Sequence, residues 1–224
     1  MVSLTVILSV IQIFAFLSYN EALRVGNSSL VGTISGSFTA VVVILSLLFL
    51  GESLSMPSII AIVVIFIGLF LSSINLADIK GKTVMNKGTT LSLVAMIGWG
   101  LYFTFIKLPV QESGFFWPSY ITTVVGTVCL FVFGMNKIKK PELGLRSGFP
   151  AVFLSGVLLT AGSFAFNLAI ESGLSSIVAP IAGAYPALFA FLAYFIFKDP
   201  LTKQQRLGMI ITLLGIIALA YIGG

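Results

Sequence analysis

Residues 20–30 have the sequence NEALRVGNSSL, and residues 167–177 have the sequence NLAIESGLSSI. The correspondence extends without a gap over residues 20–70 and 167–217, at a constant offset of 147 positions. The two segments share Asn, Ala, Gly and a Ser pair, whereas low-complexity apolar sequences match by chance mainly at Leu and Val. The self-similarity therefore indicates an internal repeat, the first feature to seek in a sequence because it determines how the whole chain is interpreted.

The composition on either side of this repeat is that of a membrane protein. The chain has 224 residues, of which 58% are apolar and only 8% are charged, and its mean hydropathy is +1.14. A typical soluble domain has about 25% charged residues, and a spanning helix needs about 20 mostly apolar residues. The chain has eight such runs: Leu4 to Leu23, Leu30 to Leu50, Pro57 to Ser73, Thr89 to Lys107, Phe115 to Met135, Phe149 to Ile170, Ser176 to Phe197 and Gln204 to Tyr221. We therefore expect an all-α integral membrane protein with eight transmembrane helices.

The basic residues indicate an orientation. All but one of the twelve Lys and Arg residues fall in every second connection between the predicted spans, and Lys107 is the exception. The positive-inside rule places those connections in the cytoplasm and both chain ends outside the plasma membrane. Membrane orientation also accounts for the net charge of +5, so no nucleic-acid partner is expected. Lys107 either extends toward the membrane surface, pairs with Glu112 or meets an anionic substrate, and the first of these is expected.

The repeat also predicts the architecture. Residues 89–224 contain five predicted spans and form a complete second repeat, while residues 1–76 contain three and form a partial first repeat. A basic loop, residues 77–88, joins them. We expect a 3+5 arrangement drawn from a 5+5 design, because the first two spans of the second repeat have no counterpart in the first. An odd number of helices per half inserts the halves in opposite orientations, which defines an inverted-topology repeat.

Several short stretches resemble a known family. They are Gly51-Glu52-Ser53-Leu54, Gly68, the segment Trp99-Gly100-Leu101-Tyr102 ending in Lys107, and Asp199-Pro200-Leu201-Thr202 followed by Gly215. These stretches resemble the EamA type within the drug/metabolite transporter superfamily, and the resemblance covers essentially the whole chain. It implies a ten-helix secondary transporter of small metabolites such as amino acids or sugars. Such transporters usually keep both termini in the cytoplasm, opposite to the orientation that the charges indicate.

Other functional classes lack their residues. The chain has no His and a single cysteine, Cys129, so neither a Ser/His/Asp triad nor a Cys- or His-rich metal site is available. We predict no enzyme, no cofactor and no metal. The expected partners are a small-molecule substrate and the lipid bilayer, with either a monomer or a homodimer possible.

Two alternatives to a metabolite transporter stay open. A proton-coupled multidrug exporter is less favoured, because every charge lies near the end of a predicted helix and no central carboxylate is available as a proton site. An inactive or truncated membrane protein that transports nothing is the other alternative. It arises because the predicted first half lacks two of its helices.

Four side chains on predicted helices are candidates for lining a substrate cavity. Asn20 and Asn167 occupy equivalent positions of the repeat and either face substrate or hydrogen-bond between helices. Trp99 and Tyr102 are three residues apart on one helix face, where they either line the cavity or pack within the bundle.

Three further candidates, Pro180, Tyr185 and Pro186, lie in the seventh predicted span. Each proline removes a backbone donor, which leaves the carbonyls of Ser176 and Ala182 able to accept from a ligand or a neighbouring helix. Broken helices of this kind often build transporter sites; the alternative is a packing kink. Glu52 and Asp199 also match across the repeat, and we expect each to position the helix that follows it.

Overall fold

The computed structural model describes residues 1–26, 28–73, 87–137, 145–185 and 202–223, and these residues are helical with short connections. The ten helical segments of this described part are α1 (Val2–Val25), α2 (Ser28–Gly36), α3 (Phe38–Phe49), α4 (Met56–Ser73), α5 (Lys87–Phe105), α6 (Lys107–Ser113), α7 (Phe116–Lys137), α8 (Leu145–Ser172), α9 (Ser175–Ala182) and α10 (Lys203–Gly223). The prediction of an all-α protein is confirmed for these residues.

Six of the helices are long and apolar enough to cross a membrane. They are Val2–Val25, Leu30–Phe49, Lys87–Ser113, Phe116–Phe133, Phe153–Ser172 and Lys203–Ile222. Each corresponds to one of the eight predicted spans. The predicted span at 57–73 corresponds to α4, whose apolar part, Met56–Ser72, is shorter than these six helices. The predicted span at 176–197 is described only as far as residue 185, and the rest lies outside the described residues. The protein is therefore a multi-pass membrane protein.

The distribution of side chains fits lipid as the surrounding solvent. Large apolar side chains point outward, including Leu48 at 70% exposure and Leu159 at 73%. The buried set is rich in small polar residues, among them Ser9, Ser92 and Thr212. Lipid tails are as apolar as Leu, so burying Leu side chains drives little helix association in a membrane. Close packing and hydrogen bonds between helices must hold this bundle together.

The contacts divide the chain into two compact units, which we describe separately. Unit I comprises Met1–Ile13 and Phe105–Gly173, and unit II comprises Phe14–Thr104 and Leu174–Gly224. In unit I, Ser9 of α1 donates a hydrogen bond to the Oγ1 of Thr122 in α7, at 3.0 Å. Unit I therefore gains a buried polar contact between two helices far apart in the sequence.

Unit II is organised around the crossing of α4 and α10, which is the most extensively packed pair among the described helices. Glycines face backbone at this crossing. A Cβ added to Gly68 would lie 2.5 Å from the backbone nitrogen of Thr212, and one added to Gly208 would lie 2.7 Å from the carbonyl oxygen of Gly68. Real Cβ atoms do not approach other atoms so closely, so glycine is what allows the two backbones to come together.

The crossing also contains a reciprocal pair of contacts. Gly68 of α4 faces Thr212 of α10, and Gly215 of α10 faces Ile65 of α4, where an added Cβ would lie 2.8 Å from Cγ1. Both Gly68 with Gly215 and Ile65 with Thr212 are separated by the same 147 positions as the sequence repeat. Two helices related by a two-fold axis make reciprocal contacts of this kind.

We predict that Gly208→Val destabilises the protein by about 1–3 kcal/mol, because a side chain there must push the α4 backbone away. The matched control is Gly162→Val in α8, since a Cβ at Gly162 meets nothing within 4 Å. The measurement is the thermal unfolding midpoint of both variants in detergent. Equal midpoints would show that the glycine contact does not stabilise the crossing.

Candidate functional site

The helix formed by α2 and α3 is interrupted at one residue. The segment α2 ends at Gly36, α3 begins at Phe38, and Ser37 between them has φ −71° and ψ 2°. The Ser37 amide is shared between the carbonyls of Thr33 and Ile34, and the Ser37 hydroxyl donates to the Thr33 carbonyl at 2.9 Å. The regular helix is therefore broken at Ser37, while the amide and hydroxyl of that residue stay hydrogen-bonded.

A second interruption lies at the corresponding position of the repeat. The segment α9 ends at Ala182 and is followed by turn residues Gly183 and Ala184. The Gly183 amide donates to the Ala179 carbonyl at 2.7 Å. Buried Pro180 lies inside α9, so no amide at that position can bond the Ser176 carbonyl. Gly36 and Gly183 differ by 147 positions. Gly36 is the last residue of α2, and Gly183 directly follows α9.

The two interrupted helices meet in unit II. A Cβ added to Gly183 would overlap the Cγ2 methyl of Thr39, just after the first interruption. Thr39 is fully buried, and its hydroxyl has no hydrogen-bond partner among the described residues. A buried hydroxyl without a partner loses its hydrogen bonds to water and gains none within the protein. The contact between α3 and α9 thus holds one polar group that a bound molecule could satisfy.

An aromatic cluster lies beside the first interruption. We define the aromatic cluster as Tyr19, Phe38, Trp99, Tyr102 and Phe103, contributed by α1, α3 and α5. Ring centroids are 5.2 Å apart for Tyr19 and Trp99, 5.9 Å for Phe38 and Trp99, 5.1 Å for Phe38 and Phe103, and 5.0 Å for Tyr102 and Phe103. These separations and the tilted or edge-on orientations are typical of attractive aromatic pairs. The cluster presents both ring faces and the polar groups of Tyr and Trp.

A carboxylate bridges the α3–α4 connection to α9. Glu52 accepts hydrogen bonds from the amides of Ser175 and Ser176, at 2.8 and 2.9 Å, and from the Ser176 hydroxyl at 2.6 Å. Sequence reasoning expected Glu52 to position the helix that follows it; its carboxylate instead binds a helix start more than 120 residues later, and a role toward the next helix stays a prediction. Asp199, its repeat equivalent, lies outside the described residues.

The two repeat-equivalent asparagines have different environments. Asn167 is buried in unit I and donates a hydrogen bond from its amide to the Ser119 hydroxyl of α7, at 2.8 Å. Asn20 belongs to unit II, is exposed, and donates to the Phe16 carbonyl of its own helix at 2.7 Å. Asn167 therefore joins two helices, as the packing alternative predicted, and Asn20 bonds within one.

Lys107 is buried within unit I. Its Nζ donates a hydrogen bond to the Gly173 carbonyl at 2.8 Å, and the residue is only 6% exposed. The carbonyl of the turn after α8 accepts its ammonium group, a partner that the sequence did not predict, and the expected extension toward the membrane surface stays a prediction. In the same unit, Glu171 accepts a hydrogen bond from the Phe115 amide.

The structure brings some of the sequence-predicted candidates together. Trp99 and Tyr102 both belong to the aromatic cluster, and Pro180 precedes the α9 interruption that packs on Thr39. Tyr185 follows that interruption and is 54% exposed. Pro186 lies outside the described residues.

Four residues of the site were missed by sequence reasoning: Tyr19, Phe38, Phe103 and Thr39. A signal existed for Phe38 and Thr39, which directly follow the Gly36–Ser37 pair matching Gly183–Ala184 in the repeat. For Tyr19 and Phe103, the sequence contained no signal to distinguish them from the other aromatic residues of apolar helices.

Comparison with known families identifies the chain over nearly its whole length. The sequence profile of the EamA-like transporter family matches residues 2–74 and 86–221. An uncharacterised protein of Methanocaldococcus jannaschii is 27% identical over 137 residues, which cover 61% of this chain and 98% of that protein.

A solved crystal structure of another protein has a similar fold. It superposes with a TM-score of 0.74 over 93% of this chain and 74% of its own, at 12% sequence identity. At this identity the likeness concerns the fold alone.

We predict that Asn167→Leu lowers stability by about 0.6–2 kcal/mol, because it removes a buried hydrogen bond between two membrane helices. Asn20→Leu, the same change at the repeat-equivalent and exposed position, is expected to have little effect. Thermal unfolding midpoints in detergent compare the two variants. A double-mutant cycle of Asn167→Leu with Ser119→Ala that shows no coupling would contradict the assignment of the loss to this bond.

Proposed function

The chain belongs to the EamA-like transporter family, within the drug/metabolite transporter superfamily, and we propose that it is a secondary transporter of small polar metabolites such as amino acids or sugars. The family is one of transporters rather than enzymes. The observation that carries the proposed substrate class is the contact between two helix interruptions, at repeat-equivalent positions, beside the aromatic cluster.

The interruptions supply polar groups at a depth where a membrane helix normally offers none. Irregular backbone inside a bilayer is tolerated where protein buries it or where it lines a cavity. Transporters often place their sites at such breaks, near the interface of two repeats. Within the described part of the chain the Thr39 hydroxyl has no hydrogen-bond partner, and the Ser176 carbonyl lacks the amide that Pro180 removed. A solute hydroxyl or ammonium group could donate to either oxygen, whereas a solute carboxylate could only accept from the Thr39 hydroxyl.

The aromatic cluster suits a small neutral or zwitterionic solute. Aromatic faces bind the apolar face of a sugar ring or attract an ammonium group. Among the sequence-predicted residues, Trp99, Tyr102, Pro180 and Tyr185 keep their proposed role as lining of the site. The structure supports a packing role for Asn167, and Pro186 stays a candidate from sequence.

We propose a 3+5 inverted repeat as the basis of transport. The reciprocal contacts of Gly68 and Gly215 support a two-fold relation between α4 and α10, which belong to different repeats. In an inverted repeat, the two halves can rock about a fixed site so that it faces one side of the membrane and then the other. The proposed location is the plasma membrane, with the basic loops in the cytoplasm.

We predict that a screen of neutral and zwitterionic amino acids and sugars, read by thermal stabilisation and then by uptake into proteoliposomes, identifies a transported solute. Trp99→Ala should weaken its apparent affinity about 3- to 10-fold, because an aromatic contact is worth about 0.5–1.5 kcal/mol. The control is Trp117→Ala, whose side chain is 57% exposed and outside the cluster. Equal affinities in the two variants would exclude the cluster from the site.

A separate prediction concerns orientation. In a Cys129→Ser background, a cysteine replacing exposed Glu112, between the fourth and fifth predicted spans, should react with a membrane-impermeant maleimide added to intact cells. A cysteine replacing exposed Thr202, in a basic connection, should react only after permeabilisation. The reverse pattern would place the basic loops outside and overturn the proposed orientation.

A further inference from the structure

We propose that Glu52 is a positioning residue for the transport cycle and acts as a latch between the repeats. The latch is formed when the transporter is closed on the side of the α3–α4 connection, and it is broken when the transporter opens on that side. This inference rests on the proposed transport function. Its starting point is the set of three hydrogen bonds from Ser175 and Ser176 to one carboxylate.

The start of α9 has no cap of its own. A helix begins with amides that lack partners inside the helix, and a polar side chain at the preceding position usually accepts from them. In α9 that position is Leu174, which makes no side-chain cap hydrogen bond. Glu52 supplies the missing acceptor from the other repeat. Its negative charge also suits the positive end of the helix dipole.

The following helix does not require Glu52. The start of α4 is covered by Ser55, whose Oγ accepts a hydrogen bond from the Ser58 amide at 3.3 Å and lies 2.9 Å from the Ser58 hydroxyl. Glu52 is therefore not a boundary charge that merely positions α4. Its carboxylate bonds to the other repeat while the next helix of its own repeat is capped locally.

Burial makes these hydrogen bonds sensitive to opening. Glu52 is 9% exposed, and Ser175 and Ser176 are fully buried. If α9 separated from Glu52 without admitting water, these three hydrogen bonds to the carboxylate would be lost with no replacement from water, which is costly for the groups that form them. Separation is therefore coupled to water entry on this side of the membrane, and that coupling is what distinguishes a closed state from an open one.

The latch moves with the helix that carries the proposed site. The Glu52 and Leu50 amides both donate to the Ser46 carbonyl of α3, at 3.4 and 3.1 Å, and Gly51 makes the turn between them with φ +65°. Contacts therefore lie near both ends of α9. Thr39 of α3 contacts Gly183, directly after α9, and Glu52, in the connection after α3, forms the latch at the start of α9. Eight residues of α9 separate the two, about 12 Å along a helix. Release of the latch would let one end of α9 move away while the interruption stays packed.

The test measures accessibility to each side of the membrane without any solute. In a Cys129→Ser background, Ala179→Cys places a reporter on α9 at a fully buried position. We expect Glu52→Gln to raise the rate of labelling by a membrane-impermeant maleimide about tenfold, only from the side of the Gly51–Ser55 connection. The reason is that hydrogen bonds to a charged acceptor are roughly twice as strong as neutral ones. Glu52→Asp, which keeps the charge, should restore much of the protection.

The controls separate a latch from general loosening. Asp199→Asn removes a carboxylate at the repeat-equivalent position and should not raise labelling from the side of Glu52. Ser176→Ala removes one hydrogen-bond donor from α9 and should raise the labelling rate from the same side as Glu52→Gln does. The double variant should raise the labelling rate by less than the combined effect of the two single changes. If Glu52→Gln does not reach the membrane, Ser176→Ala alone must give the side-specific rise.

Two results would overturn the proposal: labelling unchanged by Glu52→Gln and Ser176→Ala, or labelling raised equally from both sides. Failure of the proposed function would appear differently. A side-specific rise in a protein that takes up no amino acid or sugar would support the latch and reject the solute class. Uptake together with unchanged labelling would reject the latch alone.

Discussion

The close approach of α4 and α10 at their glycines is the contact on which the rest of unit II depends. In a bilayer, burying apolar side chains between helices gains little over leaving them in lipid, so association relies on van der Waals contact at short range. Gly68, Gly208 and Gly215 bring the two backbones near enough for that contact. A buried cluster of Ala61, Ile62, Ile65 and Leu219 surrounds the crossing and includes Ala184 from the turn after α9. The crossing thereby fixes the α9 interruption, and through Gly183 it fixes α3 and Thr39.

The hydroxyls of Thr39, Ser46 and Ser175 are buried and have no hydrogen-bond partner among the described residues. Several other buried Ser and Thr side chains bond to the carbonyl four residues earlier in their own helix, as Ser92, Thr104 and Thr212 do. Such a side chain is satisfied without a neighbour and gives no indication of a ligand. Thr39 follows the interruption by two residues. Its hydroxyl makes no such bond within the described part of the chain, and the Gly183 backbone packs against its methyl group.

The sequence predicted the membrane fold and most of its spans, because hydropathy and length depend on local composition alone. It also predicted the correspondence between Gly68 and Gly215, although not that the two glycines face each other's helix. It did not predict the partner of Glu52, since a cap supplied from 123 residues away leaves no mark on local sequence. The asparagines show the same limit: Asn20 and Asn167 match in sequence, but only Asn167 has a hydroxyl of α7 within reach. Trp99 and Tyr102 were found because their spacing on one helix is a local property, whereas Tyr19 and Phe38 complete the cluster from other helices.

The glycine crossing also has a mechanical consequence. Where Gly68 and Gly208 face backbone, neither residue has a side chain that must change rotamer before the helices turn against each other. Such a contact resists separation of the two helices but offers little resistance to tilting of one helix against the other. A tilt of about 10° moves a helix end about 15 Å away by roughly 2.6 Å, given a rise of about 1.5 Å per residue. A displacement of that size is enough to break a hydrogen bond at the end of a helix while the crossing itself remains closed.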